Sequence, residues 1–402
     1  MNNKKVTSAK KGMVSSLKTL SAMVMLSTAA TTASADILIG EAGGTQLSMF
    51  GILDVGILYQ DKVSTDGDEK LGMETSGLRQ TVIGFKGLRP LDNGWNAFFN
   101  LEAHFDLDTG MFHGTGDAAT DADDSSGRLL FRRQANLGLS GDWGTVIMGR
   151  QYGPALLAHL GTEPRIFKEQ FSNLYAWAYS QLFTTVGAAA DETGRNANND
   201  VGIFFKNAVQ YRNTVGGLDF GILYSFGGQE GSQKDGDVIA LGAAYNTGPL
   251  TLSGSYQNMK DQQTSEDVVE SWAVGAGYKI GDVTLKANFM NTENNDSNGN
   301  EVLDLDALGL GIDYQWSTKN TATVAYYINE DNTPAESAET KSLIISNEYT
   351  MGPSTVLYAA LAYVDADDDM GVISQYATSV VATPAPVGEK TTLINVGINF
   401  AF

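Results

Sequence analysis

The sequence predicts an all-β fold, a transmembrane antiparallel up-and-down β-barrel of sixteen strands. Segments of about ten to fourteen residues alternate apolar with small or polar side chains, and the connectors between them are by turns short and long. The end of the chain is a third observation, because it is itself an alternating strand that stops at a phenylalanine. Together these patterns indicate strands with lipid on one face and water on the other.

The last ten residues alternate without interruption. One set is apolar and comprises Ile394, Val396, Ile398, Phe400 and Phe402; the other comprises Leu393, Asn395, Gly397, Asn399 and Ala401. A period of two places the sets on opposite faces of a sheet. Closing this strand into a barrel leaves no unpaired edge, which a lipid environment requires.

The opposite end of the chain predicts export. Five lysines precede a weakly apolar run and the tripeptide Ala33-Ser34-Ala35, the order found in a secretory signal peptide. Serine and threonine residues interrupt the run, so it is too short for an inner-membrane helix. We therefore predict a signal peptide at residues 1–35 and the barrel at residues 36–402.

Composition narrows the class of protein. The chain has 45 glycines, 16 tyrosines, 17 phenylalanines and no cysteine, so no disulfide framework is possible. Its formal charge of −21 falls to −26 without the five signal-peptide lysines, which argues against a nucleic-acid partner. The three histidines have no metal-binding spacing, and no cofactor is expected.

Sixteen strand centres follow from the alternation. They lie near Leu53, Ile83, Phe99, Gln134, Ile147, Val209, Ile222, Leu241, Leu252, Val274, Leu285, Leu310, Val324, Ile345, Tyr358 and Val396. Rings at strand ends suggest an interfacial girdle made by Tyr245, Tyr256, Tyr278, Trp316 and Tyr349.

The two kinds of connector differ in composition. Short connectors such as Gly216-Gly217 and Gly248-Pro249 form turns. Long connectors such as residues 106–126 and 293–304 contain many of the acidic residues. In an up-and-down barrel this arrangement puts short turns on the periplasmic rim and long loops outside.

One connector, of about fifty residues between the fifth and sixth strands, is too long to be structureless in a packed domain. Phe167, Phe171 and Tyr175 recur at helical spacing, which predicts a short helix with one apolar face. These rings either anchor the connector against a wall or contact a ligand. If the wall is the barrel interior, the connector narrows the lumen.

Several segments resemble the trimeric, sixteen-stranded general porins of Gram-negative outer membranes. The most specific are Phe131-Arg132-Arg133-Gln134-Ala135 and Gly149-Arg150-Gln151-Tyr152; Leu47–Gly56, Ile83–Gly87 and the terminal Phe402 match as well. The resemblance spans the predicted mature chain and is strongest in its first third. It implies that residues 154–203 are a third extracellular loop folded into the lumen.

The resemblance also implies a constriction, in which arginines of the wall face acids of that loop. Arg133 matches a wall arginine, and Arg132 beside it is a second candidate. Val82 and Phe204 stand where arginine is usual, with Lys206 two residues after Phe204. We therefore expect a wall less basic and more apolar than the family pattern.

The expected acids on the loop are Glu163 and Glu169, although the usual loop motif is absent. Polar positions on the predicted lumen face complete the candidate site. They are Asp54, Lys86, Glu102, His104, Asp106, Lys279, Lys286 and Asp313.

The expected function is passive diffusion of small hydrophilic solutes and ions through a water-filled channel in the outer membrane. Fewer wall arginines and acidic outer loops predict mild cation preference. The resemblance implies a homotrimer, contact with outer-membrane lipid and lipopolysaccharide, and an assembly signal at Phe402 and Phe400 that the barrel assembly machinery reads.

Other functions stay open. Val82, Phe204 and the loop rings would also suit a channel selective for partly apolar or aromatic solutes. A structural or adhesin barrel could work through acidic outer loops such as Asp365–Lys390. No enzyme is expected, because His104 with Asp106 and Asp108 is the nearest approach to a catalytic cluster, and a polar lumen lining is a simpler account.

Overall fold

The computed structural model describes residues 36–63, 66–112, 130–174, 196, 198–200, 202–296, 298–333, 338–366 and 390–402. The predicted signal peptide at residues 1–35 lies outside the described residues and stays a prediction. No helix within these ranges is long and apolar enough to cross a membrane.

Strands make up most of the described structure. Their bounds are β1 Ile37–Ala42, β2 Thr45–Gln60, β3 Lys70–Thr75, β4 Val82–Pro90, β5 Asn96–His104, β6 Gln134–Gly141, β7 Gly144–Tyr152, β8 Asn199–Asp200, β9 Phe204–Val215, β10 Leu218–Ser225, β11 Val238–Thr247, β12 Leu250–Lys260, β13 Asp267–Ile280, β14 Val283–Asn295, β15 Glu301–Ser317, β16 Asn320–Asp331, β17 Ala338–Gly352, β18 Thr355–Ala366 and β19 Lys390–Ala401. A short helix, α1, spans Pro154–Ala158, and a single 3-10 turn spans Asp92–Gly94.

These strands form one antiparallel sheet that closes on itself where β19 pairs with β2. β3 and β4 pair with successive parts of β2 and act as one interrupted barrel strand. β8 pairs only with β9, and β1 only with the start of β2. The barrel therefore has sixteen strands, as predicted, and every predicted centre lies within one of them, although Gln134 is the first residue of β6 rather than its middle.

Strand β1 completes the closure at the point where β19 ends. Residues Leu393–Ala401 pair with Gln60–Ile52, and Phe402 then exchanges two backbone hydrogen bonds of 2.9 Å with Gly51. The next rungs belong to β1, which begins with Ile37 opposite Met49. The edge of β2 is thus paired along its whole length, which leaves no unsatisfied backbone groups at the seam.

The two faces of the barrel differ in chemistry. In β19, Ile394, Val396 and Ile398 are 41–53% exposed on the outside of the barrel. The alternating residues Leu393 and Asn395 point inward and are each at most 1% exposed. The same alternation runs through the other strands, with apolar side chains outward and small or polar ones inward. This is the lipid-facing pattern that the sequence predicted.

The two ends of the barrel also differ. Turns such as Gly216-Gly217, both with positive φ (58° and 86°), join strands at one end; the long connectors lie at the other. Near the short turns Tyr245, Tyr278 and Trp316 are 42–53% exposed, as a girdle requires. Tyr256 was wrongly assigned to this girdle, because it lies within β12 opposite Leu241 and not beside a turn.

The seam yields a prediction about Phe402. The Phe402 ring lies directly over Gly51, where a Cβ atom would be only 2.3 Å from the ring. The absence of a side chain at Gly51 therefore makes room for the ring. Deleting Phe402 removes this cover and both hydrogen bonds, and we expect roughly 1–3 kcal/mol of lost stability. The folded fraction on unheated electrophoresis and the melting temperature would measure it.

The substitution Phe402→Leu is the matched control, because it keeps the backbone hydrogen bonds and changes only the ring. An unchanged folded fraction and melting temperature after the deletion would contradict this role of the chain end.

Candidate functional site

The described part of the long connector after β7 runs along the inner wall of the barrel. It starts with α1, which Gly153 precedes in extended conformation and Pro154 opens at the first helical position. We call residues 154–174 the docked segment. The predicted helix through Phe167 and Phe171 is wrong, since both residues have positive φ (49° and 64°) and lie in turns; Tyr175 lies outside the described residues.

The docked segment follows the wall through contacts with successive strands. α1 packs on β10, β11 and β12. His159 is flanked by the hydroxyls of Ser253 and Ser255 on β12, each 2.8 Å from a ring nitrogen, and Thr162 Oγ1 lies 2.6 Å from Ser253 Oγ. Further along, Lys286 on β14 donates to the carbonyl of Pro164 at 3.3 Å.

Glycines on the inner face admit the segment where it approaches the wall most closely. A Cβ on Gly242 of β11 would lie 2.0 Å from the Pro154 carbonyl oxygen, and one on Gly311 of β15 would lie 2.6 Å from Pro164 Cβ. Gly309 gives similar room to the Pro164 ring, at 3.0 Å. Any larger side chain at these positions would push the segment into the lumen.

Glu163 holds a turn of the docked segment and is itself fully buried. Its Oε2 accepts the backbone N–H groups of Arg165 and Phe167, both at 2.7 Å, and its Oε1 accepts the hydroxyl of Tyr327 on β16 at 2.8 Å. Because both oxygens are engaged, this carboxylate fixes the turn to the wall rather than facing an arginine across the lumen.

Two cations extend the anchoring to β17. Arg165 is 1% exposed and donates to Ser346 Oγ at 2.6 Å. Lys168 forms a hydrogen-bonded ion pair with Glu348. Burial lowers the pKa of Lys168, and Glu348 opposes that shift by favouring its charged form.

The far end of the docked segment reaches the other side of the barrel. Phe171 is 1% exposed in an apolar cluster with side chains of β2, β16, β17, β18 and β19. The Gln170 side-chain oxygen accepts a hydrogen bond from Asn395 on β19. The backbone N–H groups of Glu169 and Gln170 donate to the carbonyls of Leu78 and Gly77, at 3.3 and 3.2 Å.

Leu78 and Gly77 belong to residues 76–81, the break between β3 and β4, which Asp54 holds in place. The Asp54 carboxylate accepts three backbone N–H groups, those of Gly77, Leu78 and Arg79, at 2.9–3.1 Å. It also accepts the Tyr358 hydroxyl and the Asn399 amide, both at 2.8 Å. One carboxylate therefore joins β2, the break, β18 and β19.

Arg133 lies just before β6, close to where the docked segment begins. It forms an ion pair with Glu102 of β5 and donates to the hydroxyl of Tyr152. Its guanidinium stacks 5.4 Å from the Tyr152 ring centroid and 5.2 Å from that of Phe204. Glu169 is close enough to interact with it electrostatically.

Three expected constriction residues are buried in the structure. Val82 is 1% exposed and packs with Phe50 and Ile52, and Phe204 is 4% exposed beneath Arg133. Neither offers a solute surface, because Val82 is buried among wall side chains and Phe204 is buried in a cluster with docked-segment residues. Glu163 is likewise buried against β16. Of the other expected residues, Arg132 is buried beside Arg133, whereas Lys206 is half-buried near the start of β9.

The expected lumen-lining residues also have definite places. Asp54, Glu102, His104 and Lys286 are buried on the inner face, and Lys286 forms an ion pair of 2.7 Å with Asp313. Inward-pointing positions of their strands are also held by Lys86 and Lys279. Asp106 does not lie in a strand but in the turn after β5.

Sequence reasoning missed several charged residues of the inner wall. Arg79, Arg150, Arg165, Lys168 and Glu348 all lie there. Glu348 occupies an inward position of a predicted strand, so strand alternation could have found it. Arg150 belongs to the same alternating set as the exposed Met148 and lies at a register shift in β7, so alternation alone could not have found it. Arg79, Arg165 and Lys168 lie in connectors, where no sequence period indicates which way a side chain points.

Comparison with known proteins gives a consistent family. A family model described as Gram-negative porin matches residues 20–369. Outer membrane porin protein 32 of Delftia acidovorans is 26% identical over 254 residues, which cover 54% of this chain and 64% of that protein. An outer membrane porin protein of Bordetella pertussis is 29% identical over 257 residues, covering 56% of this chain and 58% of that protein. The chain thus spans less than two thirds of either relative.

Solved structures share the fold. An anion-selective porin from Comamonas acidovorans superposes with a TM-score of 0.71 at 23% identity, covering 89% of this chain and 100% of that one. The trimer form of OmpT from Vibrio cholerae has a TM-score of 0.60 at 15% identity, with coverages of 89% and 100%.

The glycines under Pro164 give a test of the docked segment. Gly311→Leu should displace Pro164 into the lumen and destabilise docking by roughly 1–3 kcal/mol, with lower or noisier single-channel conductance in a planar bilayer. Gly254→Leu is the matched control, because a Cβ at Gly254 meets nothing nearer than 3.9 Å. Identical current traces for the two variants would contradict the docking.

His159 gives a pH dependence. Burial lowers its pKa from 6.5 to about 4, so the undocked segment binds the proton more readily. Docking is therefore most stable above about pH 6.5 and weakens as pH falls toward 4, by up to about tenfold per pH unit. We expect conductance fluctuations to rise as the pH falls from about 6.5 to about 4. The variant His159→Gln keeps hydrogen-bonding groups but does not titrate there, so it should abolish this pH-dependent rise. A pH profile of the fluctuations that is the same in His159→Gln as in the unaltered protein would contradict a role of His159 protonation in docking.

Proposed function

The chain belongs to the Gram-negative porin family, and from this premise we propose that it forms a water-filled channel for passive diffusion of small polar solutes and ions. As a Gram-negative porin it is a multi-pass β-barrel of the outer membrane. The observation that carries the proposal is a closed barrel whose inner wall is polar and charged while its outer face is apolar.

The docked segment supports a constriction in this channel. It follows the inner wall from β10 to β19, and it brings Arg165, Lys168 and Glu169 into the interior. A narrow passage lined by fixed charges orients polar solutes and sets ion preference. Residues 175–195, 197 and 201 of the expected loop lie outside the described residues.

The ion preference we propose is for anions, which replaces the mild cation preference expected from the sequence. Inner-wall acids are already engaged: Glu102 with Arg133, Glu348 with Lys168, and Asp313 with Lys286. The wall carries further cations: Arg79, which interacts electrostatically with Glu348 and Asp54, and the buried Arg132 and Arg150. The structurally similar porin from Comamonas acidovorans is anion-selective, which agrees with this direction.

The oligomeric state and the route of membrane insertion are proposed by analogy with related porins. We propose a homotrimer, in line with the trimer form of the structurally similar OmpT. Recognition of the Phe402 end by the barrel assembly machinery and contact with lipopolysaccharide belong to the same proposal. The adhesin alternative rests on outer loops such as residues 367–389, which lie outside the described residues, and no observation favours it.

The test is conductance of the purified protein in a planar bilayer. We expect stepwise insertion currents, and a reversal potential in a salt gradient whose sign shows anion preference. Arg79→Gln should lower the anion-to-cation permeability ratio by roughly a factor of two, because it removes one charge from the passage.

Arg89→Gln is the matched control, an exposed arginine at the end of β4. Absence of current steps would refute the channel itself. Cation preference in the unaltered protein would refute only the proposed selectivity.

A further inference from the structure

A pocket opens from the lumen into the wall between α1 and the short-turn end of the barrel. It is bounded by strands β5, β6, β7, β9, β10 and β11, with Pro154, Leu157 and Ala158 of α1 as its cover. Phe98, Ile147 and Phe220 add apolar surface. The pocket adjoins the cluster around Arg133 and Glu102, because two of its lining residues, Tyr152 and Gln134, are hydrogen-bonded to those side chains.

Arg212 of β9 brings a positive charge into this pocket. It lies opposite Thr145 and Gly221 in the sheet, and its Cγ would be 3.5 Å from a Cβ on Gly221. The stem is therefore packed against the wall, and the guanidinium lines the pocket. Within the part of the chain that the structure describes, no carboxylate or carbonyl oxygen forms an ion pair or hydrogen bond with it.

Neighbouring polar groups are already engaged. The carboxylate of Asp219 accepts the Thr214 hydroxyl at 2.5 Å and the Asn246 amide at 3.2 Å. Gln210 donates to the Tyr152 carbonyl at 2.8 Å, and Asn213 donates to the Trp143 carbonyl at 3.3 Å. Asp219 also lines the pocket and interacts electrostatically with Arg212, but no ion pair or hydrogen bond joins the two described side chains, so the Arg212 guanidinium keeps donor groups for a solute.

From this arrangement we propose that the pocket is a binding subsite for small carboxylates with an aromatic or apolar body. The carboxylate accepts hydrogen bonds from Arg212, whose planar fork suits two parallel bonds. The body of the solute packs on Phe98, Phe220 and Leu157. This proposal rests on the proposed channel function and names a class of solute for it.

The location gives the subsite a function in transport. A solute that has passed the docked segment finds Arg212 on the short-turn side of α1, where a bound carboxylate leaves the water-filled passage for a partly apolar wall. Apolar contact and a charge-assisted hydrogen bond act together only for solutes that carry both groups. Benzoate has both, acetate lacks the ring, and benzamide lacks the charge.

The experiment compares these three probes on single channels in a planar bilayer. For the unaltered protein, benzoate should reduce or interrupt the chloride current at a concentration about tenfold lower than acetate or benzamide. Arg212→Gln should abolish this difference, and Arg89→Gln, the exposed arginine at the same end of the barrel, should preserve it.

A second variant keeps the charge and fills the space. Ala244 lines the pocket from β11, so Ala244→Phe should weaken the effect of benzoate while chloride steps persist and show that the barrel is assembled. Equal potency of the three probes, or full benzoate potency in Arg212→Gln, would overturn the subsite. Absence of chloride steps in the unaltered protein would instead refute the channel.

Discussion

Backbone hydrogen bonding in a medium without water is the constraint on which the rest of this structure depends. Every strand of the barrel wall must hydrogen-bond to a neighbour on each side, and the sheet closes at the seam between β19 and β2. At this seam Phe402 pairs with Gly51, and β1 then continues along the same edge of β2 from Met49. Once the sheet is closed, its inner face becomes a fixed ring of side chains against which the docked segment can be positioned.

The docked segment owes its path to small residues and paired charges on that face. Glycines at 242, 309 and 311 allow close approach, while Tyr327, Ser346 and Glu348 provide hydrogen-bonding partners on β16 and β17. Asp54 contributes from the other side, because it holds the break between β3 and β4 in the shape that accepts Glu169 and Gln170. Polar groups thus organise an interior that an apolar core would organise in a soluble protein.

The barrel could be predicted from the sequence far better than the interior. Alternation is a local signal, and it located the strand centres and the lipid-facing side chains of β19. The roles of Glu163, Val82 and Phe204 depend on partners that are remote in sequence, as the hydrogen bond between Glu163 and Tyr327 across 164 positions shows. The family resemblance implied a loop folded into the lumen, which stays a prediction, and it did not indicate that Glu163 would cap a turn or that Arg79 and Arg165 would bring charge inward.

The anchoring of Gln170 by Asn395 has a consequence for the order of folding. The two residues are 225 positions apart, and Asn395 belongs to the last strand. The final anchor of the docked segment therefore does not exist until β19 has joined the sheet, and the cluster around Phe171 also needs β18 and β19. In the channel that we propose, the docked segment would therefore be fixed in its final place only after the barrel has closed.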